Sequence, residues 1–295
     1  MSNSIENIET TAAKTADNTE YSYVEGVGNI PRDIYKYVKS DPLGDLPRYS
    51  VHIVIQHILI FITFLTLAST GLTLHFSELF WAPYIIALFG GIDSARIIHR
   101  ISAAIMIFAS AYHLITIIAG TIRKVLKREF DIKQTQMPGL KDLQDLVHDM
   151  KYFFGYEQYR PKMYKFMYKQ KLHYIAILWG SFVLITAGFT LLYPTTMAQI
   201  WPNSTFFQDF ARLMHADEAL MAITVVVFWH WSNVHLVPGR FPLQWTFLTG
   251  RITREHQIEE HFLEYLKNLK EIPEEREYIK KILREKGLDV KGGGT

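Results

Sequence analysis

The chain has 295 residues, 49% of them hydrophobic and only 20% charged, with a mean hydropathy of +0.05; this excludes a disordered or collagen-like polymer and is too apolar for an ordinary soluble domain of this length. It contains no cysteine, which excludes disulfides, thiolate-ligated zinc, iron-sulfur ligation and covalent c-type haem attachment, so any metal chemistry falls to Met, carboxylates and the 12 His. A net charge of +2 is no overall basic excess and argues against a nucleic-acid partner.

Residues 1–47 read as a polar arm, and the first 20, rich in Ser, Asn, Thr and Glu with no apolar period, read as disordered or as ordered only by a partner. The length of polar chain ahead of the first apolar run argues against a cleavable signal. Four stretches then meet the roughly 20 helical residues that a hydrocarbon core of about 30 Å requires. They run from Val51 to Phe76, Ile98 to Ile118, Tyr174 to Tyr193 and Leu213 to Val237. The expected domain is a four-span bundle over 48–250 with a loop at 122–172, followed by a charged helix and tail at 251–295 that ends in Gly292–Gly294. Within the loop, Pro138-Gly139 breaks the chain, and Leu140, Leu143, Leu146 and Val147 mark one face of a short amphipathic helix. No domain of independent size emerges outside the membrane.

Basic residues orient this bundle. Lys and Arg number 5 in residues 1–50, 12 in 121–173 and 11 in 238–295, which leaves only Arg96, Arg100 and Arg212 in the other two connections. The positive-inside rule therefore places both termini in the cytoplasm and the segments around Ser77–Asp93 and Pro194–Asp209 outside, with Trp81, Tyr84 and Trp201 as interfacial anchors. The fold class expected is all-α: an integral membrane four-helix bundle of a prokaryotic cytoplasmic membrane, with short amphipathic cytoplasmic helices.

An ionisable group inside a span is costly, so an intramembrane His is a functional hypothesis. His99 and His113 lie 14 residues apart on the second span, about 40° short of four turns and roughly 21 Å apart along the axis. His215 and His230 lie 15 apart on the fourth, about 60° past four turns and roughly 22 Å apart. The two spans run in the same direction, so facing each other they would set His99 level with His215 near the outside, and His113 level with His230 near the cytoplasm. Two bis-imidazole haems held between helices require that pattern. The surroundings repeat as well. Ala95-Arg96 precedes His99 with Ala103 four residues on, and Ala211-Arg212 precedes His215 with Ala219 four residues on. An Arg three residues before a ligand His lies one turn toward the surface on the same face, where its fork suits a haem propionate, while Ala admits a flat macrocycle.

His57 lies at a depth similar to His113 and His230, and His235 follows His230 by five residues, about 140° around the helix. Either His57 and His235 bind a third haem, or one haem uses His57 with His230 and the remaining His line a quinone pocket. Asp217 and Glu218 could pair with Arg96, Arg100 or Arg212, or handle protons at an outer site. His52, His75, His148, His173, His256 and His261 read as solvated or interfacial. Gly180 and Gly188 on the third span suit close helix packing.

Residues 48–250 resemble the membrane cytochrome b subunits of respiratory formate dehydrogenases and nickel-iron hydrogenases. His57 followed by Thr70-Gly71, His99 opening the second span, and His215 and His230 on the fourth are similar to that family's ligand positions, with His230 one residue further along than the formate dehydrogenase spacing. The resemblance implies four spans, cytoplasmic termini, haem b, and ligand pairs His99 with His215 outside and His57 with His230 inside. His113 departs from it and is similar instead to bc-type cytochromes b, which leaves the inner pairing open. Trp229-His230-Trp231-Ser232-Asn233-Val234-His235, Pro238, Phe241-Pro242 and Leu248-Thr249-Gly250 look like a multihaem-associated subgroup.

The function expected is that of a cytochrome b subunit with two or three haem b groups, carrying single electrons between the quinone pool (menaquinone or ubiquinone) and an extracytoplasmic partner. Such a respiratory oxidoreductase complex would include an iron-sulfur or multihaem cytochrome subunit and a catalytic subunit, in contact with membrane lipid. Family resemblance puts the quinone-reactive site near His57, His230 and His235. The rival readings are a His-dependent transporter, a non-redox membrane anchor, and a transmembrane ferric reductase lacking its flavin domain.

Overall fold

The computed structural model describes residues 20–38, 45–201, 204–237 and 240–288. The first residues of the polar arm, Pro238 and the Gly292–Gly294 tail, all singled out in the sequence, lie outside them. The fold is mostly helical. A hairpin of β1 (Tyr21–Val24) and β2 (Gly28–Pro31) leads into a 3-10 turn at Arg32–Tyr37. Then come α1 (Val51–His75), α2 (Ala82–Leu88), α3 (Ile92–Leu126), α4 (Leu140–Phe153), α5 (Tyr168–Leu192) and α6 (Pro194–Ile200). The next run is α7 (Ser204–Thr224), a π-helical stretch over Val225–Trp231, and α8 (Ser232–His235). Short α9 (Thr246–Thr249) precedes α10 (Arg254–Glu260), α11 (Phe262–Glu271) and α12 (Pro273–Glu285).

Three of these helices, α1, α3 and α5, are long and apolar enough to cross a membrane. The fourth predicted span falls in the helical run from Ser204 to His235, where regular α-helix stops at Thr224 and i→i+5 hydrogen bonding takes over, so no single α-helix covers it.

The residues divide into two compact units. The spanning unit comprises 47–130 and 175–251. Here α1 packs against α3, and buried positions recur every seven residues, Gln56, Thr63 and Thr70 on α1 and Ala95, Ser102 and Ala109 on α3, with Thr73 buried as well one turn beyond Thr70. Small and hydrogen-bonding side chains thus line the contact, the pattern by which helices associate where apolar burial offers no advantage. Leu, Ile, Val and Phe point outward instead, among them Ile62, Leu65, Ile97, Ile101, Phe108, Ile115 and Ile118. Thr63 and Thr70 return their hydroxyl protons to the carbonyls of Leu59 and Thr66 four residues back, so neither hydroxyl is stranded. After α9, Gly250 takes a left-handed φ of 69°, and a Cβ there would lie 2.6 Å from the Tyr49 carbonyl oxygen. Its own carbonyl accepts the N–H groups of Arg48 and Tyr49, which ties α9 to the start of α1.

The charged unit comprises the described parts of 1–46, 131–174 and 252–295. Two of these stretches, the described parts of 1–46 and 252–295, neither with an evident core of its own, share one apolar interior: Val24, Ile30, Ile34, Ile252, Ile258, Phe262, Tyr265, Leu269, Ile279 and Leu283. That grouping is absent from any one segment read alone. Helix α12 starts with Pro273 and two Glu in its first turn and has Arg284 in its last, in keeping with the helix dipole. Buried Glu275 accepts from Arg254 Nε at 2.8 and 2.6 Å and from the Tyr265 hydroxyl at 2.9 Å. Burial, reinforced by the Glu275 carboxylate, pushes the Tyr265 phenol well above its usual pKa.

Helix α4 is amphipathic as predicted, but its buried face is acidic. Asp145 and Asp149 are enclosed, while Leu140, Leu143 and Val147 are exposed. Charge pairing overrides the apolar stripe: Arg160 donates Nε and Nη2 to the two Asp149 oxygens at 2.8 Å each, and Lys141 meets Asp145 at 2.6 Å.

Candidate functional site

The structure brings four of the predicted histidines into two facing pairs. His99 of α3 and His215 of α7 have ring centroids 6.4 Å apart with planes at 67°. His57 of α1 and His230 of the π stretch also stand 6.4 Å apart, at 41°. Two imidazole nitrogens bound to one metal on opposite sides, at about 2 Å each, would set their ring centres about 6 Å apart. Both pairs have that separation, so the residues fit a metal centred in a flat macrocycle.

Hydrogen bonds orient the first pair. Thr70 gives its proton to the Thr66 carbonyl and faces His99 Nδ1 at 2.8 Å, so His99 Nδ1–H donates to the threonine oxygen. His215 Nδ1–H donates to the Leu184 carbonyl at 3.1 Å. Each bond puts the proton on Nδ1 and leaves the Nε2 lone pair to act as a ligand, as a metal-binding His does when its other ring nitrogen donates to an oxygen. Two glycines make room. A Cβ on Gly71 would lie 3.2 Å from His99 Cε1, and one on Gly188 would lie 3.3 Å from His215 Cε1. Gly188 therefore matches Gly71, each on a helix neighbouring a candidate ligand. The third-span glycines also admit Glu218, whose carboxylate packs directly against Gly180.

The Ala-Arg-x-x-His repeat includes one more residue, an Asp three positions before each Arg. Arg96 pairs with Asp93 at 3.2 Å, and Arg212 with Asp209 at 3.7 Å, each Asp three residues before its Arg. Those aspartates, and not Asp217 or Glu218, are the partners shown for Arg96 and Arg212. Both ion pairs are solvent-exposed and hold their arginines weakly. Ala95 and Ala211 are buried beside them.

His113 and His235 take other contacts. His113 Nδ1–H donates to Gln56 Oε1 at 2.8 Å, and the Gln56 amide reaches Thr116 at 3.3 Å, a polar cluster within the α1–α3 contact. The imidazole of His57 faces His230. At His235 the Gln244 backbone N–H donates to Nδ1 at 3.0 Å, which in the neutral ring puts the proton on Nε2. Phe247 packs against both His57 and His235, with ring centroids at 5.8 and 5.7 Å.

The chain matches no known family model and no curated protein.

Among the remaining histidines, His52 hydrogen-bonds Tyr112 at 3.1 Å and His148 donates to the Tyr159 carbonyl at 3.0 Å. His261 is not solvated: it is 1% exposed, against the expectation for a charged segment, and with His256 and Glu260 forms a separate cluster. The His-x3-Glu-His spacing was the available signal, since residues four apart share a helix face.

Proposed function

We propose that this protein is a membrane cytochrome b with two haem b groups, one between His99 and His215 and one between His57 and His230. The observation that carries this reading is the two equal His–His separations of 6.4 Å in a unit built from span-length helices. Haem, when bound, supplies one-electron redox chemistry at its iron. The chain supplies axial nitrogens, their orientation by Thr70 and the Leu184 carbonyl, the clearance at Gly71 and Gly188, and Arg96 and Arg212 as partners for propionates. A third haem between His57 and His235 is disfavoured by Phe247, which lies against both rings.

On this reading the helical run from Ser204 to His235 is the fourth span, and the distribution of Lys and Arg keeps both termini in the cytoplasm of a prokaryotic cell. Single electrons pass between membrane quinone and an extracytoplasmic redox subunit of a larger oxidoreductase complex. Quinone sits on the His57 and His230 side, where the Nε2–H of His235 is a donor for a carbonyl oxygen. The positions of His57 with Thr70-Gly71, His99, His215 and His230 resemble the ligand positions of the cytochrome b subunits of formate dehydrogenases and nickel-iron hydrogenases, which is in keeping with this reading.

The test is a haem count on the purified chain by difference absorption. Two haems are expected, falling to one in His215→Ala and in His57→Ala, with loss of quinone-linked electron transfer, and staying at two in His113→Ala. Three haems, or two retained in His215→Ala, would overturn the pairing; no haem at all would favour a His-dependent transporter or anchor.

A further inference from the structure

We infer that His256, Glu260 and His261 form a binding site for a divalent cation of the zinc class in the charged unit, separate from both His pairs and independent of the haem reading. The site follows from a local interruption of helix. Thr253 caps α10 by accepting the His256 N–H at 3.3 Å, and His256 and Glu260, four residues apart, lie on one face. In a continuous helix His261, five residues on, would point about 140° away from His256. Instead the chain leaves helical geometry at His261, with φ −128° and ψ 46°, before α11 begins. That break turns the His261 ring back over His256, with centroids 6.2 Å apart and planes at 25°.

One donor atom from each of the three side chains lies within 4.8 Å of the others. His256 Nε2 and Glu260 Oε2 are 3.1 Å apart, close to the roughly 3.4 Å edge of a tetrahedron with 2.0–2.1 Å metal–ligand bonds. Closing the rest of the triangle takes about 1 Å of side-chain rotation. His261 is the fixed corner: buried, it donates Nδ1–H to the Tyr164 carbonyl at 2.9 Å, which leaves Nε2 with the lone pair. His256 and Glu260 are partly exposed and supply both the rotation and the entry path.

Two imidazoles and a carboxylate suit zinc better than magnesium or calcium, which prefer all-oxygen shells. Three protein ligands leave the fourth position to water. Arg160 is a competing charge, close enough for the Glu260 carboxylate to favour its charged form, and its Nε and Nη2 are held by Asp149. A bound ion would replace the His256–Glu260 hydrogen bond and brace the α10–α11 junction. That junction is already tied to residues 163–164, through His261 and through the Leu263 N–H donated to the Met163 carbonyl.

The experiment uses the full chain in detergent, stripped with chelator and dialysed against zinc chloride at micromolar free metal. Zinc is counted by mass spectrometry, and its ligands are read at the zinc absorption edge, which iron does not obscure. One zinc per chain with two imidazoles at 2.0–2.1 Å is expected. His256→Gln and Glu260→Gln, both at partly exposed positions that leave the core intact, should each weaken retention about tenfold or more, and His148→Gln should leave it unchanged. No zinc retained by the wild type, fewer than two imidazoles at the metal, or retention unaffected by both substitutions would overturn the site.

Discussion

The two units apply one set of packing rules to opposite residue types. In the spanning unit the buried positions of α1 and α3 are Gln, Thr, Ser and Ala, while Ile, Leu and Phe face outward. In the charged unit Ile, Leu, Phe and Tyr are enclosed, and exposed ion pairs such as Lys36–Asp33 and Lys280–Glu277 cover the surface. A water-facing unit gains by hiding apolar area, about 25 cal/mol per Å². A unit whose span-length helices face lipid would gain nothing that way and would be held by close contact of small residues and satisfied hydrogen bonds. An imidazole in the spanning unit therefore needs a specific partner, and His57, His99, His215 and His230 each face another imidazole.

Perturbing each unit by the kind of residue it buries sharpens the contrast. The largest effect is expected from Gly71→Leu, whose Cβ alone would lie 3.2 Å from His99 Cε1. The bulk should displace the ring and eliminate the haem proposed between His99 and His215, halving haem content while the other pair persists. Next, Leu269→Ala removes a fully buried side chain from the core of the charged unit. It should cost about 3 kcal/mol in denaturant unfolding of that unit, with haem content unchanged.

Asp149→Asn tests the buried acidic face of α4. Burial by itself would raise this carboxyl's pKa, but the Arg160 guanidinium and the Tyr168 hydroxyl outweigh it and hold the group below the usual carboxylate value. Because the folded value is the lower one, the stabilisation is complete above the ordinary carboxylate pKa of about 4 and is lost as pH falls through the folded value. Substitution should cost about 2–3 kcal/mol at neutral pH, less than for a fully enclosed pair because Arg160 is 44% exposed, and should flatten the acid limb of the stability curve. The smallest effect is expected from Ile115→Ala on the outward face of α3, under about 0.5 kcal/mol although the deletion is of similar size to that at Leu269. A loss at Ile115 as large as at Leu269 would break the comparison.

Much of the candidate site is legible in the residues because helical rotation is regular. His99 and His215 can be matched in depth by counting, and the repeated Ala and Arg mark their surroundings. The inner partner cannot be found this way. Counting puts His57, His113 and His230 at one level but does not say which helix faces which, and Gln56 holding His113 becomes visible only when α1 and α3 are packed. The π stretch matters too. Hydrogen bonding to i+5 turns the chain less per residue than an α-helix, which trims the roughly 60° overshoot between His215 and His230 and absorbs the extra residue in that spacing. The zinc-class cluster escaped because His261 lies in a densely charged segment that resembles a solvated surface, and only the backbone break at that residue encloses it.

The sequence by itself determines the apolar lengths, the placement of basic residues and the helical phase of His99 and His215, because these depend on local composition and on a fixed rise and rotation per residue. The tertiary structure alone decides that His57 faces His230, that two distant segments share one core, and that α4 turns its aspartates inward. Each of these depends on which surfaces meet, and a hydrogen bond or ion pair formed across such a contact can outweigh the local apolar pattern that a single segment displays.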